Sequence, residues 1–479
     1  MAKTVKSASS GYGALISGEP LLDILRKINV WWETKKIPIE FIPRTKRSIF
    51  KELLGFLDDR RIISILGPRR TGKTTSMYHL MQHLIEEGMD PKHMLFFSGD
   101  DVELKQTEGM IGAVIRAYFE DYLKQDYHGK EKIYVFIDEI HKIEDWQLWL
   151  KKYYDLRYNI KFIISGSSAA KIKKGQMDSL AGRIVEFTLH PMSFREFLSF
   201  SNVEHDLPAA ALDKLDGDLF EKLKEAGPSK SLEMKRLFEE YLLVGGFPEW
   251  FETKNIIRWQ IKIIDDIIKR VIYDDIATTY HIKNVSKVES LFHLLCSLQS
   301  RMYSYNSIST TLKIDNEAAE AYTGYLKESF LIYELQNYAS SVEKQLRKNY
   351  KYVILDSGVG NALERITDLS TIGENALGYI AESSVQRLLS QKAKKDLFKV
   401  FYWNDVQEVD AVVEINGRLL PIEVKYRSSA RDISGLLRFM EKYKIKNGIV
   451  VSKDELKISE MGGNKIFFIP CWMFMALLG

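Results

Sequence analysis

Residues 62–75 read IISILGPRRTGKTT, a short β-branched run followed by the spacing GxxxxGK[ST]. Gly67 and Gly72 allow the backbone to curl so that its N–H groups point at phosphate oxygens. Lys73 can then meet the charge of the β- and γ-phosphates, and the Thr74 hydroxyl can hold Mg²⁺. An amphipathic stretch, TTSMYHLMQHLIEEG, follows the loop, as this motif requires. The predicted nucleotide-binding residues are Gly67, Pro68, Arg69, Arg70, Thr71, Gly72, Lys73, Thr74 and Thr75.

Residues 132–143, KIYVFIDEIHKI, form a continuous apolar run that ends in two acids. A parallel strand that is buried on both faces has this composition, and ligands bind at the carboxyl end of such a strand. Asp138 is therefore predicted to hold Mg²⁺, and Glu139 to polarise the attacking water. An apolar strand that simply meets a loop is the alternative explanation of the pattern.

Three further runs have the character of buried strands. KFIISGSSAA at 161–170 ends in Ser165 and Ser167, which could reach the γ-phosphate or the attacking water, or could only cap the next helix. MLFFSGDD at 94–101 and IVEFTL at 184–189 complete five candidate strands with helical stretches between them. This alternation predicts a parallel α/β sheet and a nucleotide-hydrolysing core.

The order of these motifs resembles that of the AAA+-type ATPases of archaea and bacteria. The resemblance rests on GPRRTGKTT, FIDEIHKIEDW, FIISGSS, SLAGRIVEF, HPMSFREFL and, later in the chain, EYLLVGGFPEW. It implies that the nucleotide is ATP. It also makes the arginine of LAGR, Arg183, a candidate finger that acts on a neighbouring subunit, which would require a homo-oligomer. A surface salt bridge is the alternative role for Arg183.

The middle of the chain is predicted to be largely helical. Residues 201–284 place apolar positions at spacings of three and four, which predicts a helical lid over the nucleotide. Residues 285–365 predict two short helices and a strand pair that resemble a winged helix, a module that often binds duplex DNA. The second of these helices, NEAAEAYTGYLKES, is acidic and would repel phosphate. The basic run from Lys344 to Lys351 is therefore the better candidate for DNA contact.

The stretch EVDAVVEINGRLLPIEVKY predicts a β-hairpin that turns at Asn416-Gly417, the strongest short hairpin signal. With this turn, Asp410 faces Glu423 across the hairpin, and alternation places Lys425 on the same face. Two carboxylates at this separation repel each other. A divalent metal, a shared proton or a nearby cation must offset the repulsion.

The spacing D-x₁₂-E-x-K on a hairpin resembles that of PD-(D/E)xK nucleases, a restriction-endonuclease-like fold that many of these ATPases carry at the C-terminus. In such nucleases two acids hold Mg²⁺ and the lysine orients the attacking water or steadies charge on the phosphate. Asp410 and Glu423 are therefore predicted metal ligands for Mg²⁺ or Mn²⁺, and Lys425 is predicted to be catalytic. The helical stretch GYIAESSVQRLL supplies Glu382 as an upstream acid. An ion-pair cluster of Lys425 with Glu408 and Glu423, or a nuclease fold kept only as a scaffold, are the alternatives.

Composition sets few further limits on function. The chain has 479 residues, is 45% hydrophobic and 28% charged, and carries a net charge of +3, which is typical of a globular protein and neither predicts nor excludes nucleic acid. The apolar runs are too short to span a membrane. Two cysteines, Cys296 and Cys471, fit a reducing compartment, so a cytoplasmic protein is expected.

The motifs together predict an α/β protein with a P-loop AAA+-type parallel-sheet core, a helical lid, a winged-helix-like segment and a C-terminal restriction-endonuclease-like domain. The predicted domains are an N-terminal arm at 1–45, the P-loop ATPase core at 46–200, the lid at 201–284, the winged-helix-like domain at 285–365 and the nuclease-like domain at 366–479. The expected function is a Mg²⁺-dependent ATPase coupled to nucleic-acid processing, with DNA as a partner. The alternative is a regulatory ATPase switch whose nuclease-like fold binds a protein and cuts nothing.

Overall fold

The computed structural model describes most of the chain. The described residues are 18–167, 180–214, 217–226, 231–297, 301–341, 343, 345, 349–427 and 432–479. The chain divides into two compact units, residues 1–66 with 73–188 and residues 67–72 with 189–479. The phosphate-loop segment 67–72 therefore packs with the second unit, although the residues on either side of it in the chain belong to the first.

The first unit is built on a parallel sheet. Its strands are β1 (Ile62–Leu66), β2 (Met94–Ser98), β3 (Ile133–Asp138), β4 (Ile160–Gly166) and β5 (Ile184–Thr188). Among the described residues the sheet has five strands in the order β2-β3-β4-β1-β5, which confirms the predicted α/β class. Because β4 lies between β1 and β3, its carboxyl end with Ser165 sits beside Asp138 at the end of β3.

Short helices cover this sheet. They are α1 (Glu19–Ile28), α2 (Trp31–Thr34), α3 (Ile49–Leu54), α4 (Lys73–Glu86), α5 (Met110–Arg116), which continues as a π-helix over Ala117–Leu123, and α6 (Trp146–Asp155). Single 3₁₀ turns lie at Ile39–Phe41, Pro91–His93, Leu104–Gln106 and Ile140–Lys142. α4 follows the phosphate loop directly, as the motif predicts.

The N-terminal segment protects the edge of the sheet. Asn29 donates a hydrogen bond to the Phe96 carbonyl (2.9 Å) and accepts one from the Phe96 N–H (2.6 Å). The indole N–H groups of Trp31 and Trp32 both donate to the Met94 carbonyl, at 3.2 and 2.7 Å. β2 is an edge strand, and an edge strand otherwise offers unpaired backbone groups to other chains. The two adjacent tryptophans thus help to close this edge.

The second unit begins with helices. They are α7 (Phe194–Phe200), α8 (Gly217–Ala226), α9 (Ser231–Val244), α10 (Trp250–Thr253), α11 (Ile256–Lys262), which continues as a π-helix over Ile263–Ile276, α12 (Ala277–Tyr280), α13 (Val285–Ser297), α14 (Tyr305–Leu312), α15 (Asn316–Glu328), α16 (Ser357–Leu363), α17 (Glu374–Ala393), α18 (Ser434–Tyr443) and α19 (Cys471–Leu478), with 3₁₀ turns at Leu212–Lys214 and Leu369–Thr371. The helical character predicted for the middle of the chain is therefore confirmed. All eight residues of α19 are buried in the core. No helix in the described ranges is long and apolar enough to cross a membrane.

A mixed sheet forms the rest of the second unit. Its strands are β6 (Met302–Tyr303), β7 (Ile332–Asn337), β8 (Tyr350–Ile354), β9 (Lys399–Asn404), β10 (Glu408–Ile415), β11 (Arg418–Lys425), β12 (Asn447–Ser452), β13 (Lys457–Met461) and β14 (Asn464–Pro470). The strand order is β13-β14-β12-β11-β10-β9-β7-β8-β6. β7 pairs with β9 in parallel, so strands of the predicted winged-helix-like segment and of the predicted nuclease-like domain belong to one sheet. Both of those assignments stay predictions.

α17 is anchored by a buried ion pair close to Glu382. Arg387 Nη1 lies 3.2 Å from Asp356 Oδ2, and the side chains are 3% and 0% exposed. Asp356 also accepts a hydrogen bond from the Gly246 N–H at 2.9 Å. A Cβ at Gly245, where φ is 79°, would lie 1.7 Å from Asp356 Oδ1, so the glycine pair of EYLLVGGFPEW makes room for this carboxylate. The ion pair therefore fixes which face of α17 presents Glu382.

Candidate functional site

The first cluster of candidate residues lies where the strands of the parallel sheet end. Asp138 is the last residue of β3 and is 8% exposed. Its Oδ2 accepts a hydrogen bond from the Thr74 hydroxyl at 2.7 Å, and its Oδ1 accepts one from the Ser165 hydroxyl. The structure thus brings together three residues that were predicted from separate motifs. Hydroxyl and carboxylate oxygens are the ligands that Mg²⁺ prefers, so this set fits the ion.

Burial makes the negative charge of this cluster costly. Desolvation raises the pKa of Asp138, and the neighbouring Glu139 carboxylate raises it further. The hydrogen bonds from Ser165 and Thr74 act in the opposite direction because they stabilise the ionised form. A cation bound beside Asp138 would stabilise its ionised form and offset the rest of the desolvation cost.

Glu139 is held in a strained conformation by its neighbours. Its φ is 46°, in the left-handed region that few residues other than glycine adopt. Ser167 donates a hydrogen bond to its Oε2 at 3.1 Å, and His141 Nδ1 lies 3.3 Å from the same oxygen. Its own N–H donates to the Ser165 hydroxyl at 3.2 Å. These contacts orient the carboxylate predicted to act on water. His141 was not predicted, although it stands two residues after Glu139 in the sequence.

The phosphate-loop glycine Gly67 has no room for a side chain. Its φ is 149°, and a Cβ would lie 2.2 Å from the Leu189 carbonyl oxygen. Thr71 closes the loop by donating a hydrogen bond to the Pro68 carbonyl at 3.0 Å. Gly72 also has a positive φ, 92°. The curled backbone that the motif predicts is therefore present in this segment.

The two arginines of the phosphate loop form ion pairs with acidic residues of the second unit. Arg69 forms a bidentate ion pair with Asp275, with nitrogen–oxygen distances of 2.8 and 2.7 Å. Arg70 pairs with Glu249 and, at 2.9 Å, with Asp266. The sequence predicted both arginines as nucleotide-binding residues, and it gave no indication of these acidic partners. Their contact with nucleotide stays a prediction.

Arg183 lies away from this cluster in its own chain. It precedes β5, and its carbonyl accepts a hydrogen bond from the Ile62 N–H at 2.8 Å. It therefore sits at the edge where the parallel strands begin, whereas Asp138 sits where they end. Its Nε is 2.9 Å from Asp155 Oδ1. An action on a neighbouring subunit stays a prediction beside the observed ion pair.

The C-terminal hairpin has the predicted register. Ala411 pairs with Ile422 and Ile415 with Arg418, so the turn falls at Asn416-Gly417. Both turn residues have positive φ, 51° and 75°, as a type I′ turn requires. Asp410, one residue before Ala411, therefore lies beside Glu423.

Carboxylates from three elements converge at this hairpin. Ligand oxygens of Glu382 on α17 and of Glu408 and Asp410 on β10 all lie within 4.8 Å of one another. Asp410 Oδ2 also accepts a hydrogen bond from the Val424 N–H at 2.7 Å. Glu423 is 4% exposed, and its Oε2 has no hydrogen-bond partner among the described residues. Such a set of hard oxygen ligands fits a divalent cation.

Two lysines neutralise part of this charge. Lys425 Nζ lies 2.6 Å from Glu423 Oε1, which matches one of the two partners in the alternative ion-pair prediction. Lys351 on β8 lies 2.6 Å from Glu382 Oε1 and also pairs with Glu408. The prediction that Lys351 belongs to an exposed DNA-binding run is wrong, because this side chain is 1% exposed. Lys344, at the start of that run, lies outside the described residues.

The lysines offset only part of the free-energy cost of burying these ionised carboxylates. Burial and the Asp410 carboxylate raise the pKa of Glu382 to about 8, and the same two causes raise the pKa of Glu423. Burial alone would lower the pKa of Lys351, but the carboxylates of Glu382, Asp410 and Glu408 outweigh it and keep the ammonium charged. The cluster therefore holds more negative charge than its buried environment stabilises.

Sequence reasoning missed several residues of this cluster. Lys351 appears in the sequence only as one charge inside the apolar stretch YKYVILD, a weak signal of a buried partner. Gln386, one helical turn after Glu382, donates hydrogen bonds to Glu382 Oε1 (3.0 Å) and to the Asp410 carbonyl (2.8 Å). The alternative ion-pair prediction joined Glu408 to Lys425, whereas the Glu408 carboxylate pairs with Lys351. The whole cluster opens into a cavity of about 590 Å³.

Family models match three parts of the chain. They are an AAA domain at residues 59–198, a domain of unknown function (DUF8612) at 235–370 and a second domain of unknown function (DUF4143) at 377–474. The chain therefore contains an AAA domain, which implies ATP, Mg²⁺ and nucleotide-dependent activity. The DUF4143 match includes Glu382, Asp410, Glu423 and Lys425.

Relatives extend over nearly the whole chain. An uncharacterized protein of Methanocaldococcus jannaschii is 28% identical over 426 residues, which is 88% of this chain and 86% of the relative. An uncharacterized protein of Haemophilus influenzae is 23% identical over 437 residues, covering 90% of this chain and 98% of the relative. An uncharacterized protein of Mycobacterium tuberculosis is 23% identical over 401 residues, covering 82% and 76%.

Two solved structures show limited similarity to this chain. C. elegans PCH-2 superposes with a TM-score of 0.29 at 15% identity, over 50% of this chain and 62% of that chain. AMPPCP-bound DnaA from Aquifex aeolicus superposes with a TM-score of 0.25 at 16% identity, over 58% of this chain and 86% of that chain.

Proposed function

We propose that this protein is a Mg²⁺-dependent ATPase coupled to nucleic-acid processing, and that its C-terminal carboxylate cluster cleaves DNA. The observation that carries the ATPase function is the contact of Asp138 with both Thr74 and Ser165 at the ends of the strands. The phosphate-loop sequence and the AAA-domain match support it. The five domains predicted from the sequence, and a cytoplasmic location, are part of this proposal.

At the nucleotide site, each residue has a separate task. The loop 67–75 binds the phosphates of ATP, and the Lys73 ammonium neutralises charge on them. Thr74 and Asp138 would hold Mg²⁺, which when bound supplies positive charge to the phosphates. Glu139, oriented by Ser167, accepts a hydrogen bond from the attacking water and directs it at the γ-phosphorus.

The role of Glu139 is tested by Glu139→Gln. The amide keeps the shape of the side chain but is a much weaker acceptor for the water proton, so ATP turnover should fall by about 100-fold while ATP binding remains. Turnover is measured as phosphate release, and binding with a fluorescent ATP analogue. Glu144→Gln, an exposed position in the same loop, is the matched control and should hydrolyse ATP normally. Normal turnover in Glu139→Gln would exclude the proposed role.

At the C-terminal cluster, the residues present fit a phosphodiesterase site. Glu382, Glu408 and Asp410, whose ligand oxygens lie within 4.8 Å of one another, would hold the divalent cation together with the predicted ligand Glu423. The cation, Mg²⁺ or Mn²⁺, when bound makes a water nucleophile available near neutral pH. The water oxygen bonds to phosphorus, one phosphorus–oxygen ester bond breaks, and a proton from the water ends on the leaving oxygen. Lys425, held beside Glu423, stabilises the negative charge that develops on the phosphate.

The cleavage is tested with labelled DNA, Mn²⁺ or Mg²⁺, and ATP. Asp410→Ala should abolish cutting because it removes a ligand oxygen from the cluster. Asp405→Ala is the matched control, since this exposed residue lies in the turn before β10 and pairs with Lys442 at the surface. Equal cutting by wild type and Asp410→Ala would show that the cluster is not the source of the activity.

A regulatory ATPase switch is the second candidate function. Lys351 favours it, because an internal ammonium that bridges Glu382 and Glu408 neutralises part of the charge of the cluster without any metal. In this case the C-terminal fold binds a protein partner and breaks no phosphodiester. ATP turnover that does not respond to DNA, together with no cutting in Mn²⁺, would support the switch over the nuclease.

A further inference from the structure

An exposed aromatic side chain lines the cavity of the carboxylate cluster, one helical turn before Glu382. Tyr379 on α17 is 41% exposed, although the next residue, Ile380, is buried. The guanidinium of Arg301 lies over its ring, 5.8 Å from the centroid. Unpaired bases stack on aromatic rings and on arginine planes in proteins that bind single strands. The Tyr379–Arg301 pair therefore offers a flat stacking surface beside the cluster.

A residue that lines the same cavity, Glu423, has a buried carboxylate oxygen, Oε2, without a hydrogen-bond partner among the described residues. A carboxylate oxygen buried in this way is costly unless a ligand or ion completes its environment. The hydrogen bonding of the cluster is therefore incomplete at Glu423.

The cavity also carries positive charge suited to a phosphate backbone. Arg301 and Arg427 are exposed side chains of its lining, and Lys425 is half-buried beside Glu423. Its lining acids are Glu382, Glu408, Asp410, Glu423 and Asp432. A polyanion therefore meets cations at the exposed positions, whereas the buried acids need a metal before a phosphate can approach them.

The dimensions favour an unpaired strand over a duplex. The cavity volume of about 590 Å³ is in the range of sites that enclose a small ligand. Asp410 and Glu423 are only 8% and 4% exposed, so a scissile phosphate must enter the cavity to reach them. Bases inside a duplex stay stacked on one another and cannot stack on a protein ring unless they are unpaired or flipped out. A Cβ at Gly378 would meet no atom within 4 Å, which leaves open space beside Tyr379.

We infer that this site takes single-stranded DNA, with one unpaired base stacked on the Tyr379–Arg301 pair while the adjoining phosphate reaches the carboxylates. The inference rests on the proposed function and adds a substrate class to it. Tyr379 determines strand specificity by binding and has no part in the bond-breaking step.

The experiment compares a single strand, a blunt duplex and a duplex with a single-stranded tail, all of one sequence, on the full chain. Binding is measured by fluorescence anisotropy in Ca²⁺, and cutting in Mn²⁺ with ATP. The single strand and the tailed duplex should bind about tenfold more tightly than the blunt duplex. Tyr379→Ala should lose about tenfold in single-strand affinity, and Tyr379→Phe should retain it, because stacking needs the ring and not the hydroxyl.

Two controls separate stacking from general damage. Tyr273→Ala removes a tyrosine of similar exposure, 43%, that does not line the cavity, and it should bind DNA like the wild type. Gly378→Leu should block the cavity sterically and reduce both binding and cutting, whereas Gly378→Ala should leave both unchanged. Neither glycine variant should alter ATP turnover measured without DNA.

The outcomes distinguish this inference from the proposed function. Equal affinity for the single strand and the blunt duplex, no DNA binding at all, or an unchanged affinity in Tyr379→Ala would overturn the inference. An absence of cutting in every condition, with the single-strand preference and the Tyr379 effect intact in Ca²⁺, would instead contradict the nuclease function and support the stacking site.

Discussion

At the nucleotide site the buried carboxylate of Asp138 is met by hydroxyl groups, whereas at the C-terminal cluster the buried carboxylates are met by ammonium groups. Thr74 and Ser165 donate hydrogen bonds to Asp138 and leave its negative charge in place. Lys351 and Lys425 bring positive charge of their own to the cluster. At the first site the charge of Lys73 also lowers the pKa of Asp138, and an external cation would complete the arrangement. At the second site an external cation must compete with the resident ammonium groups for the carboxylates. An external cation therefore fits the nucleotide site more simply than it fits the C-terminal cluster.

The largest expected effect is on ATP turnover. It concerns Arg183, the arginine that a neighbouring subunit would supply to the nucleotide site. If Arg183 acts in trans, Arg183→Ala should reduce ATP turnover by about 1,000-fold, as the loss of an arginine finger does. Asp155→Ala breaks the same Arg183–Asp155 ion pair but keeps the arginine, so its turnover should be normal. Turnover is measured as phosphate release, with the oligomeric state followed by light scattering. Equal effects of the two substitutions on turnover would show that Arg183 forms a surface ion pair and does not act on a neighbouring subunit.

The next effect is on stability, and it concerns Lys351, the buried lysine of the C-terminal cluster. Lys351→Met removes the ammonium between Glu382 and Glu408, and breaking a buried ion pair in this way costs about 3 to 5 kcal/mol of unfolding free energy. Mn²⁺ should then stabilise the variant more than the wild type, because the ammonium that competes for Glu382 and Glu408 is gone. Chemical denaturation with and without Mn²⁺ measures both effects.

Lys442→Met is the matched control for this substitution. Lys442 pairs with Asp405 while 47% exposed, and such a surface pair contributes about 0 to 1 kcal/mol. If Lys351→Met proves no less stable than Lys442→Met and gains nothing from Mn²⁺, the cluster does not depend on its internal cation. The contrast between the two acidic sites would then be wrong.

The smallest expected effect is the change in stability when a hydroxyl group of the nucleotide site is removed. Ser165→Ala removes the donor to Asp138 Oδ1, and an orphaned buried acceptor costs about 1 to 3 kcal/mol. Ser64→Ala is the control, because Ser64 is equally buried on neighbouring β1 but its hydroxyl has no partner among the described residues. Thermal unfolding should show a lower stability for Ser165→Ala and an unchanged stability for Ser64→Ala. A loss of similar size in both variants would mean that packing, and not the hydrogen bond, explains the effect.

Much of the fold follows from local sequence signals. The strand-loop-helix around Gly67–Thr74 and the acids at the end of β3 were predicted because phosphate binding and buried parallel strands demand particular residues at short spacing. The hairpin register followed from Asn416-Gly417, since two adjacent residues with positive φ fix the pairing of both strands. These features depend on residues that are close together in the chain.

The partners of charged residues were not predictable in this way. Arg69 pairs with Asp275 across 206 residues of sequence, and no local pattern links the two. Lys351 was assigned to an exposed basic run because it follows other cations in the sequence. Its burial results from its place on β8 within the sheet, where its neighbours come from distant segments.

Local motifs supply the residues that could carry chemistry, namely the phosphate loop, the acids after β3 and the hairpin with Asp410, Glu423 and Lys425. How each charge is neutralised depends instead on contacts between distant segments of the chain. Lys351 meets Glu382 and Glu408, which lie 31 and 57 residues away along the chain, because the sheet and α17 bring these segments together. Spacing in sequence reports local geometry, whereas the electrostatic state of a buried group depends on every charge that folding places around it.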